Sequence, residues 1–375
     1  MSDLPGLDLA AFHRWYDAQR PGDLGPDLTG QLIAGGKSNL TYRVSDGTTE
    51  RIVRRPPLGH VQATAHDMGR EYTAMSALAG TDVPVPQTYA HCADDAVLGS
   101  PFYVMEKVDG LAYRTADELT ALGAETTAGL AGAMVDVLAR LHAVDPQSVG
   151  LGEFGRPAGF LERQVRRWAR QLEGSATRPL PDAQTLLTRL ADSVPADDAA
   201  RDATTSSIVH GDYRLDNLLS VAGDVGTAAG PVKAVVDWEM ATIGDPLTDV
   251  ALLLVYDKLG TLVGGSAVAD ASSAPGYPDE RAQLERYVTA RGRDLPDLSF
   301  HLGLAYLKIA VILEGIHHRF VAGQTVGEGF DQIGLAVEPL LAAGLEATGA
   351  TPATPATPAT PATPATPATP ATTKE

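Results

Sequence analysis

The sequence predicts an α+β protein of two lobes, a small β-rich lobe with one main helix followed by a larger, mostly helical lobe. Three observations predict it. The first part of the chain reads strand, strand, helix, strand, strand. From Thr127 onward, long segments repeat apolar residues at three- and four-residue spacing, the period of a helix with one buried face. Between those helices, Ile208 to Trp238 reads as a strand-and-hairpin region holding a cluster of polar residues.

Each element has its own signal. Leu9 to Gln19 carries Leu9, Phe12, Trp15 and Tyr16 at helical spacing, which predicts an amphipathic helix packed on the first lobe. Leu32 to Val44 is strand-like around a Gly-Gly turn. Glu50 to Val53 is a short strand that ends at Pro56-Pro57. His66 to Ala79 places Met68, Tyr72, Met75 and Leu78 on one helical face, and Gly80 suits the C-terminal cap. Val83 to Cys92 and Pro101 to Val108 supply two more strands. Helices follow at Thr127 to His142, Phe160 to Leu172 and Asp182 to Leu190. After the hairpin region they return at Thr248 to Leu259, Asp279 to Arg291, Leu298 to Phe320 and Gly329 to Leu345. Gly260 to Tyr277 is a Gly/Ser/Ala-rich loop. From Thr351 to Ala371 a Thr-Pro-Ala triplet repeats, and proline at every third position excludes helix and sheet. The expected organisation is a lead-in with its helix (1–27), a β-rich lobe (28–108), a helical lobe (109–348) and an extended tail (349–375).

Composition narrows the class. The 375 residues are 44% hydrophobic, enough for a substantial core. Cys92 is the one cysteine, so no disulfide forms within the chain. The start carries Asp3 and Asp8 in place of a basic, then apolar, leader. No uninterrupted apolar stretch reaches the ~18 residues of a membrane span. These features predict a soluble cytoplasmic protein. A formal net charge of −18 disfavours nucleic acid and anionic membranes as partners and favours a cationic substrate, if it reflects a site rather than general solubility.

The chemistry concentrates in two stretches. Ile208-Val209-His210-Gly211-Asp212-Tyr213-Arg214-Leu215-Asp216-Asn217 runs from a β-rich lead into a polar loop, with Asp212 and Asn217 five residues apart. Val235-Val236-Asp237-Trp238-Glu239 is a β-branched strand ending on a carboxylate. A Gly/Ala-rich turn, Ser220 to Pro231, separates them, so a hairpin would bring Asn217 and Asp237 together. Phosphoryl transfer needs a carboxylate to orient and deprotonate a hydroxyl, and hard oxygen ligands for Mg²⁺. Asp212 is the candidate base; Asn217 and Asp237 are the candidate Mg²⁺ ligands. His210 reads as a residue that holds the loop by bonding backbone carbonyls, rather than as a catalyst.

The His-x-Asp-x-x-x-x-Asn pattern, followed by a strand-terminal Asp, matches the catalytic and metal-binding loops of protein kinases. The first lobe agrees. Ala34-Gly35-Gly36-Lys37-Ser38-Asn39 would cover nucleotide phosphates, with Gly36, Ser38 and Asn39 in contact. Arg54 would be the basic residue of the third strand and Glu71 its partner from the next helix. Backbone groups of Glu106 and Val108, in the hinge Met105 to Val108, would bind adenine.

The chain resembles the aminoglycoside phosphotransferase family. More narrowly, it resembles the phosphotransferase domain at the front of some acyl-CoA dehydrogenases and its free-standing actinobacterial relatives. The residues that carry this are Gly36 to Tyr42, Arg70-Glu71-Tyr72, Pro101 to Glu106, His210 to Asn217, Asp237 to Pro246, and Asp249. The resemblance spans about 28 to 345. It implies a protein-kinase-like two-lobed fold, an ATP- and Mg²⁺-dependent kinase, Asp212 as base, Asn217 and Asp237 as metal holders, and Asp249 as the anchor of the catalytic loop.

Two departures matter. Arg54 stands where kinases usually have lysine, and the two are not equivalent. Asp-Trp-Glu replaces Asp-Phe-Gly, and only Met240 to Leu247 precede the next helix, which leaves no room for an activation loop and argues for a small-molecule hydroxyl acceptor.

For the acceptor, Arg214 lies two residues after the base, and His317-His318-Arg319 ends a C-terminal helix. Cations there would attract a carboxylate or phosphate and repel a polyamine. Arg214 has the alternative of pairing with Asp216 or Asp249. The resemblance to the domain preceding acyl-CoA dehydrogenases implies a hydroxy acid or hydroxyacyl-CoA as acceptor. The alternatives are an amino sugar, favoured by the net charge, and a catalytically silent nucleotide-binding scaffold, favoured by Arg54.

Overall fold

The computed structural model describes residues 4–33, 39–58, 67–202, 204–263, 270–324 and 332–349. The expected phosphate-covering turn, with Gly36 and Ser38, and the Thr-Pro-Ala tail lie outside the described residues.

The first lobe is a five-stranded antiparallel sheet with a helix on each face. In chain order come α1 (Leu9–Gln19), β1 (Thr29–Leu32), β2 (Leu40–Ser45), β3 (Glu50–Arg55), α2 (Met68–Leu78), β4 (Thr88–Cys92), the short α3 (Asp95–Leu98) and β5 (Phe102–Glu106). The strand order is β1-β2-β3-β5-β4. Side-chain alternation assigns the two faces. Phe102 and Val104 of β5 point into a core with Phe12 and Tyr16 of α1. Tyr103 and Met105 point the other way, into the main core with Met68, Met75 and Leu78 of α2. Asp8 and Asp67 cap the two helices by accepting backbone N–H bonds.

The second lobe contains α4 (Ala116–Thr120), α5 (Ala124–Ala143), α6 (Phe160–Ser175), α7 (Pro181–Asp192), β6 (Ser207–Val209), β7 (Leu218–Ser220), β8 (Val232–Val235), β9 (Thr242–Gly244), α8 (Leu247–Val263), α9 (Glu280–Arg291), α10 (Ser299–Val321) and α11 (Val337–Ala347). The polar region is two small antiparallel pairs: β7 with β8, as the hairpin reading expects, and β6 with β9, which the sequence pattern did not show.

Two boundaries, and the reading of apolar stretches, differ from expectation. The strand read from Val83 starts at Thr88, because Pro84 and Pro86 lack the N–H a ladder needs. The last helix, read from Gly329, starts at Val337 after a 3₁₀ turn over Ile333–Ala336. And α10 is, by length and composition, apolar enough to cross a membrane, but it is a core helix with about two thirds of its apolar window buried. Lys308 and Glu314 interrupt its apolar run, which is why the sequence showed no such stretch.

Candidate active site

The polar loop between β6 and β7 is held from below by one buried carboxylate. Asp249, in the first turn of α8, accepts the backbone N–H groups of His210 (2.7 Å) and Gly211 (2.8 Å) and meets His142 Nε2 at 3.3 Å. Burial works against its ionisation, but His142, His210 and the amide donors hold its carboxyl below the usual range. Gly211 has φ of +84°, and a Cβ there would sit 2.7 Å from the Met240 carbonyl oxygen, so only glycine fits the turn.

His210 is buried. Its Nδ1 accepts the Asp212 N–H (3.2 Å), and its Nε2 donates to the Val236 carbonyl (3.0 Å). The imidazole therefore ties the loop to the strand end that precedes Asp237. The β7–β8 ladder completes the link: Val236 N–H donates to the Asn217 carbonyl at 2.9 Å, which places Asn217 beside the segment that bears Asp237.

Asp212 sits at the loop's apex. Asn217 Nδ2 donates to its backbone carbonyl (2.8 Å) and to its Oδ2 (3.1 Å), and the Tyr256 hydroxyl donates to Oδ1. Burial opposes its charge, yet Arg214, Lys308 and the Tyr256 bond hold the carboxyl below its ordinary range. It is ionised at neutral pH, as a base must be.

Across the cleft, β3 and α2 bring a second acidic group to the same place. Arg54 Nη2 donates to Asp237 Oδ1 at 2.5 Å, and its Nε makes an ion-pair contact of 3.1 Å with Glu71 Oε2, without hydrogen-bond alignment. Glu71 is fully buried and accepts the Tyr103 hydroxyl at 2.9 Å. Asn39 Nδ2 lies 3.3 Å from both Glu71 Oε1 and Glu239 Oε2. Oxygens of Glu71, Asp237 and Glu239 fall within 4.8 Å of one another. This crowding has an electrostatic signature. Burial, with Asp237 and Glu71 close by, pushes the Glu239 carboxyl up to about 7. Asp237 has φ of +68°, the one non-glycine residue with positive φ among those described. Three carboxylates facing one guanidinium leave a local excess of negative charge, and Asn39 Oδ1 is buried without a hydrogen-bond partner among the described residues. An all-oxygen donor set of this kind suits Mg²⁺.

The remaining expected residues lie as follows. Glu106 ends β5; its N–H donates to the Gln87 carbonyl (2.8 Å), and its Oε2 accepts the Gln87 N–H (3.0 Å). Val108 lies two residues on, in the connection between the lobes. Arg214 pairs with Asp216, and its guanidinium lies 4.9 Å from the centre of the Tyr256 ring. Of the two carboxylates weighed as its partner, Asp216 holds it. Cys92 is buried.

A cavity of about 870 Å³ opens beside the loop at Gly211, between α6, α10 and the segment Glu239–Thr242. Six of its lining residues are basic: Arg70, Arg156, Arg163, Arg167, Lys308 and Arg319. Its acids are Glu153, Glu239 and the committed Asp249. Lys308 donates to the Gly211 carbonyl, and burial, helped by Arg167, depresses its ammonium while Asp212 and Asp249 oppose that. Of the expected acceptor cations, only Arg319 lines this cavity. Arg214 does not, and His317 packs against Gly334. Sequence reasoning missed Glu239, Tyr256 and Lys308 as parts of the site. Lys308 had one available signal, a charge in the middle of an apolar run of α10.

Comparison with known proteins gives one family. The model described as "Phosphotransferase enzyme family" matches residues 29–296. Acyl-CoA dehydrogenase family member 11 of Gallus gallus is 32% identical over 324 residues, 85% of this chain and 40% of that protein. Its Homo sapiens namesake is 33% identical over 327 residues, with the same shares. The chain thus spans about 40% of the length of these curated relatives. Among solved structures, a Ralstonia eutropha protein provisionally described as an aminoglycoside phosphotransferase is 32% identical, with a TM-score of 0.77 over 91% of this chain and 98% of that one. An aminoglycoside phosphotransferase bound to GDP and kanamycin shares the fold alone, at 18% identity and a TM-score of 0.57 over 89% of this chain and 98% of that one. The fold is protein-kinase-like, and the chain belongs to the phosphotransferase enzyme family.

Proposed function

We propose that this phosphotransferase is an ATP- and Mg²⁺-dependent small-molecule kinase whose acceptor is the hydroxyl of a hydroxy acid or hydroxyacyl-CoA. The cationic cavity beside Gly211 and Lys308 carries the acceptor reading. In a chain of net charge −18, a cavity lined by six basic residues is a local reversal of sign. It would attract a carboxylate or phosphate and repel a polyamine sugar.

The geometry supports the following roles. Asp212, ionised and held at both oxygens, orients the acceptor hydroxyl and takes its proton. Asn217 keeps its amide nitrogen on Asp212, so its Oδ1 is the atom it offers to Mg²⁺, alongside Asp237 and Glu239. Arg54, steadied by Glu71, faces the phosphates. Asn39, just ahead of β2, braces Glu71 and Glu239. The Glu106 carbonyl and the Val108 backbone serve adenine. Arg214 balances the charge beside the base. Bound Mg²⁺ would neutralise charge on the phosphate oxygens.

The test is ADP release with Mg·ATP across 4-hydroxy acids, their CoA thioesters and aminoglycosides, with Asp212→Ala as control. Turnover on an acid or thioester, absent in the variant, is expected. Turnover on aminoglycosides alone, the second choice that the overall negative charge favours, would overturn the acceptor reading. Asp212→Ala with unchanged turnover would overturn the base.

A further inference from the structure

Asp212 has a partner that the scheme above does not use. Tyr256 lies on α8 seven residues after Asp249, two helical turns on, and so shares a face with it. Asp249 holds the backbone of the catalytic loop at His210 and Gly211, while the Tyr256 hydroxyl donates to Asp212 Oδ1. One face of one helix thus holds both the main chain of the loop and the side chain at its apex.

Two donors are needed to fix a carboxylate plane. A carboxyl bound at one oxygen can still turn about χ2, whose wells are broad. Asn217 Nδ2 holds Oδ2 at 3.1 Å, and Tyr256 holds Oδ1. An ionised carboxylate has about four lone-pair sites, so two remain for an incoming hydroxyl. The Tyr256 ring is itself held, with the Arg214 guanidinium 4.9 Å from its centre and Arg214 paired to Asp216. Buried beside Asp212, the phenol is pushed well above its usual range, so it keeps its proton and donates.

We propose that Tyr256 is a positioning residue that sets the plane of the Asp212 carboxylate so that a lone pair of the base faces the acceptor hydroxyl. This rests on the kinase reading of Asp212. In the transfer, the acceptor O–H bond breaks and its proton passes to Asp212. The acceptor oxygen bonds to the γ-phosphorus as the bond from that phosphorus to the β–γ bridging oxygen breaks, and ADP carries away that electron pair. Tyr256 gains and loses nothing.

Tyr256→Phe keeps the ring under Arg214 and removes only the donor. Crystal structures of the wild type and the variant are compared for the orientation of Asp212, alongside kcat, KM for Mg·ATP and the unfolding midpoint. The expected result is a turned or doubly oriented Asp212 carboxylate, with kcat lowered about tenfold to a hundredfold and KM and midpoint nearly unchanged. An Asp212 carboxylate in the same orientation in both proteins overturns the proposal, as does a turned carboxylate with undiminished kcat. If the wild type turns over no acceptor, the kinase reading fails, and the crystallographic comparison still decides the role of Tyr256.

Discussion

Arg54 and Asp237 are 183 residues apart and joined by a 2.5 Å hydrogen bond from Nη2 to Oδ1. The same guanidinium contacts Glu71 through Nε. One side chain of the sheet lobe therefore bridges helix α2 and the acidic segment of the helical lobe. A lysine would reach as a point charge and could not make both contacts in one plane. Its charge is secure, since the surrounding acids Glu71, Asp237 and Glu239 outweigh burial and raise it further.

This gives the first prediction. Arg54→Lys is expected to lower kcat/KM for Mg·ATP by about tenfold, and Arg54→Ala by about a hundredfold or more. Steady-state kinetics at varied Mg·ATP checks it. An alanine variant with wild-type kcat/KM would remove Arg54 from the nucleotide site.

Glu239 is the second. Its carboxylate closes the group formed with Glu71 and Asp237. Glu239→Gln keeps the shape and the link to Asn39 but loses one negative charge, so the concentration of free Mg²⁺ giving half-maximal rate should rise severalfold with little change in KM for the acceptor. Asp237→Asn should be near silent at any Mg²⁺ concentration. Titrating free Mg²⁺ at fixed ATP separates the two; an unmoved midpoint for Glu239→Gln would leave that residue outside the metal shell.

The candidate catalytic core was legible in the sequence because its parts are local. Asp212 and Asn217 share one loop, and a β-branched run ending on Asp237, with a Gly/Ala turn between, predicts the hairpin that unites them. Arg54 and Glu71 followed from a strand and a helix in the expected order. The cationic cavity was not legible, since Arg70, Arg156, Arg167, Lys308 and Arg319 come from three separate stretches of the chain and no local spacing announces their convergence. Arg214 was open to two readings for the opposite reason. Its nearness to the base in sequence allowed an acceptor contact or a pairing with Asp216 or Asp249, and it pairs with Asp216, two residues on. Tyr256 was hidden among apolar neighbours in α8, where an aromatic residue reads as core. Strand β9 was lost because three residues carry too little pattern.

The third prediction concerns the acceptor. Arg167 lines the cavity, and among the described residues its one aromatic contact is the Trp168 ring, 5.2 Å away. Arg167→Ala should raise KM for an anionic acceptor by about tenfold, the effect of losing one charged contact, and leave KM for Mg·ATP unchanged. Initial rates with each substrate varied in turn provide the check. Equal effects on both constants would mean that the change acts on the fold rather than the cavity.

The fourth prediction concerns stability. Asp249→Ala would strand the backbone N–H groups of His210 and Gly211, both now bonded to its carboxylate. A buried unsatisfied donor costs about 1–3 kcal/mol, so the variant should lose about 3 kcal/mol or more, with turnover abolished as the loop loosens. Urea unfolding measures the first effect, and Asp249→Asn, which retains one acceptor oxygen, should fall between the two.

Asp257 yields the fifth, and its sign runs against the usual carboxylate. It accepts bonds from the Tyr277 hydroxyl (2.9 Å) and Gln283 Nε2 (2.7 Å), but burial outweighs both and pushes its carboxyl up to about 6. The unfolded chain ionises this group near 3.9. The folded state therefore favours the neutral acid. Its contribution is fully present below about pH 4 and is lost as pH rises towards 6, amounting at most to about 3 kcal/mol at 1.36 kcal/mol per unit. Asp249, held low in the folded state, acts in the opposite direction, so the raw pH profile of the wild type mixes the two. The difference between wild type and Asp257→Asn separates them, because asparagine keeps the shape, and the Gln283 amide can turn to meet it. The variant should gain stability relative to the wild type as pH rises from 4 to 7 and hold that gain above 7. Denaturant unfolding at four or five pH values tests this, and a difference that stays flat across the range would show that Asp257 ionises normally in the fold.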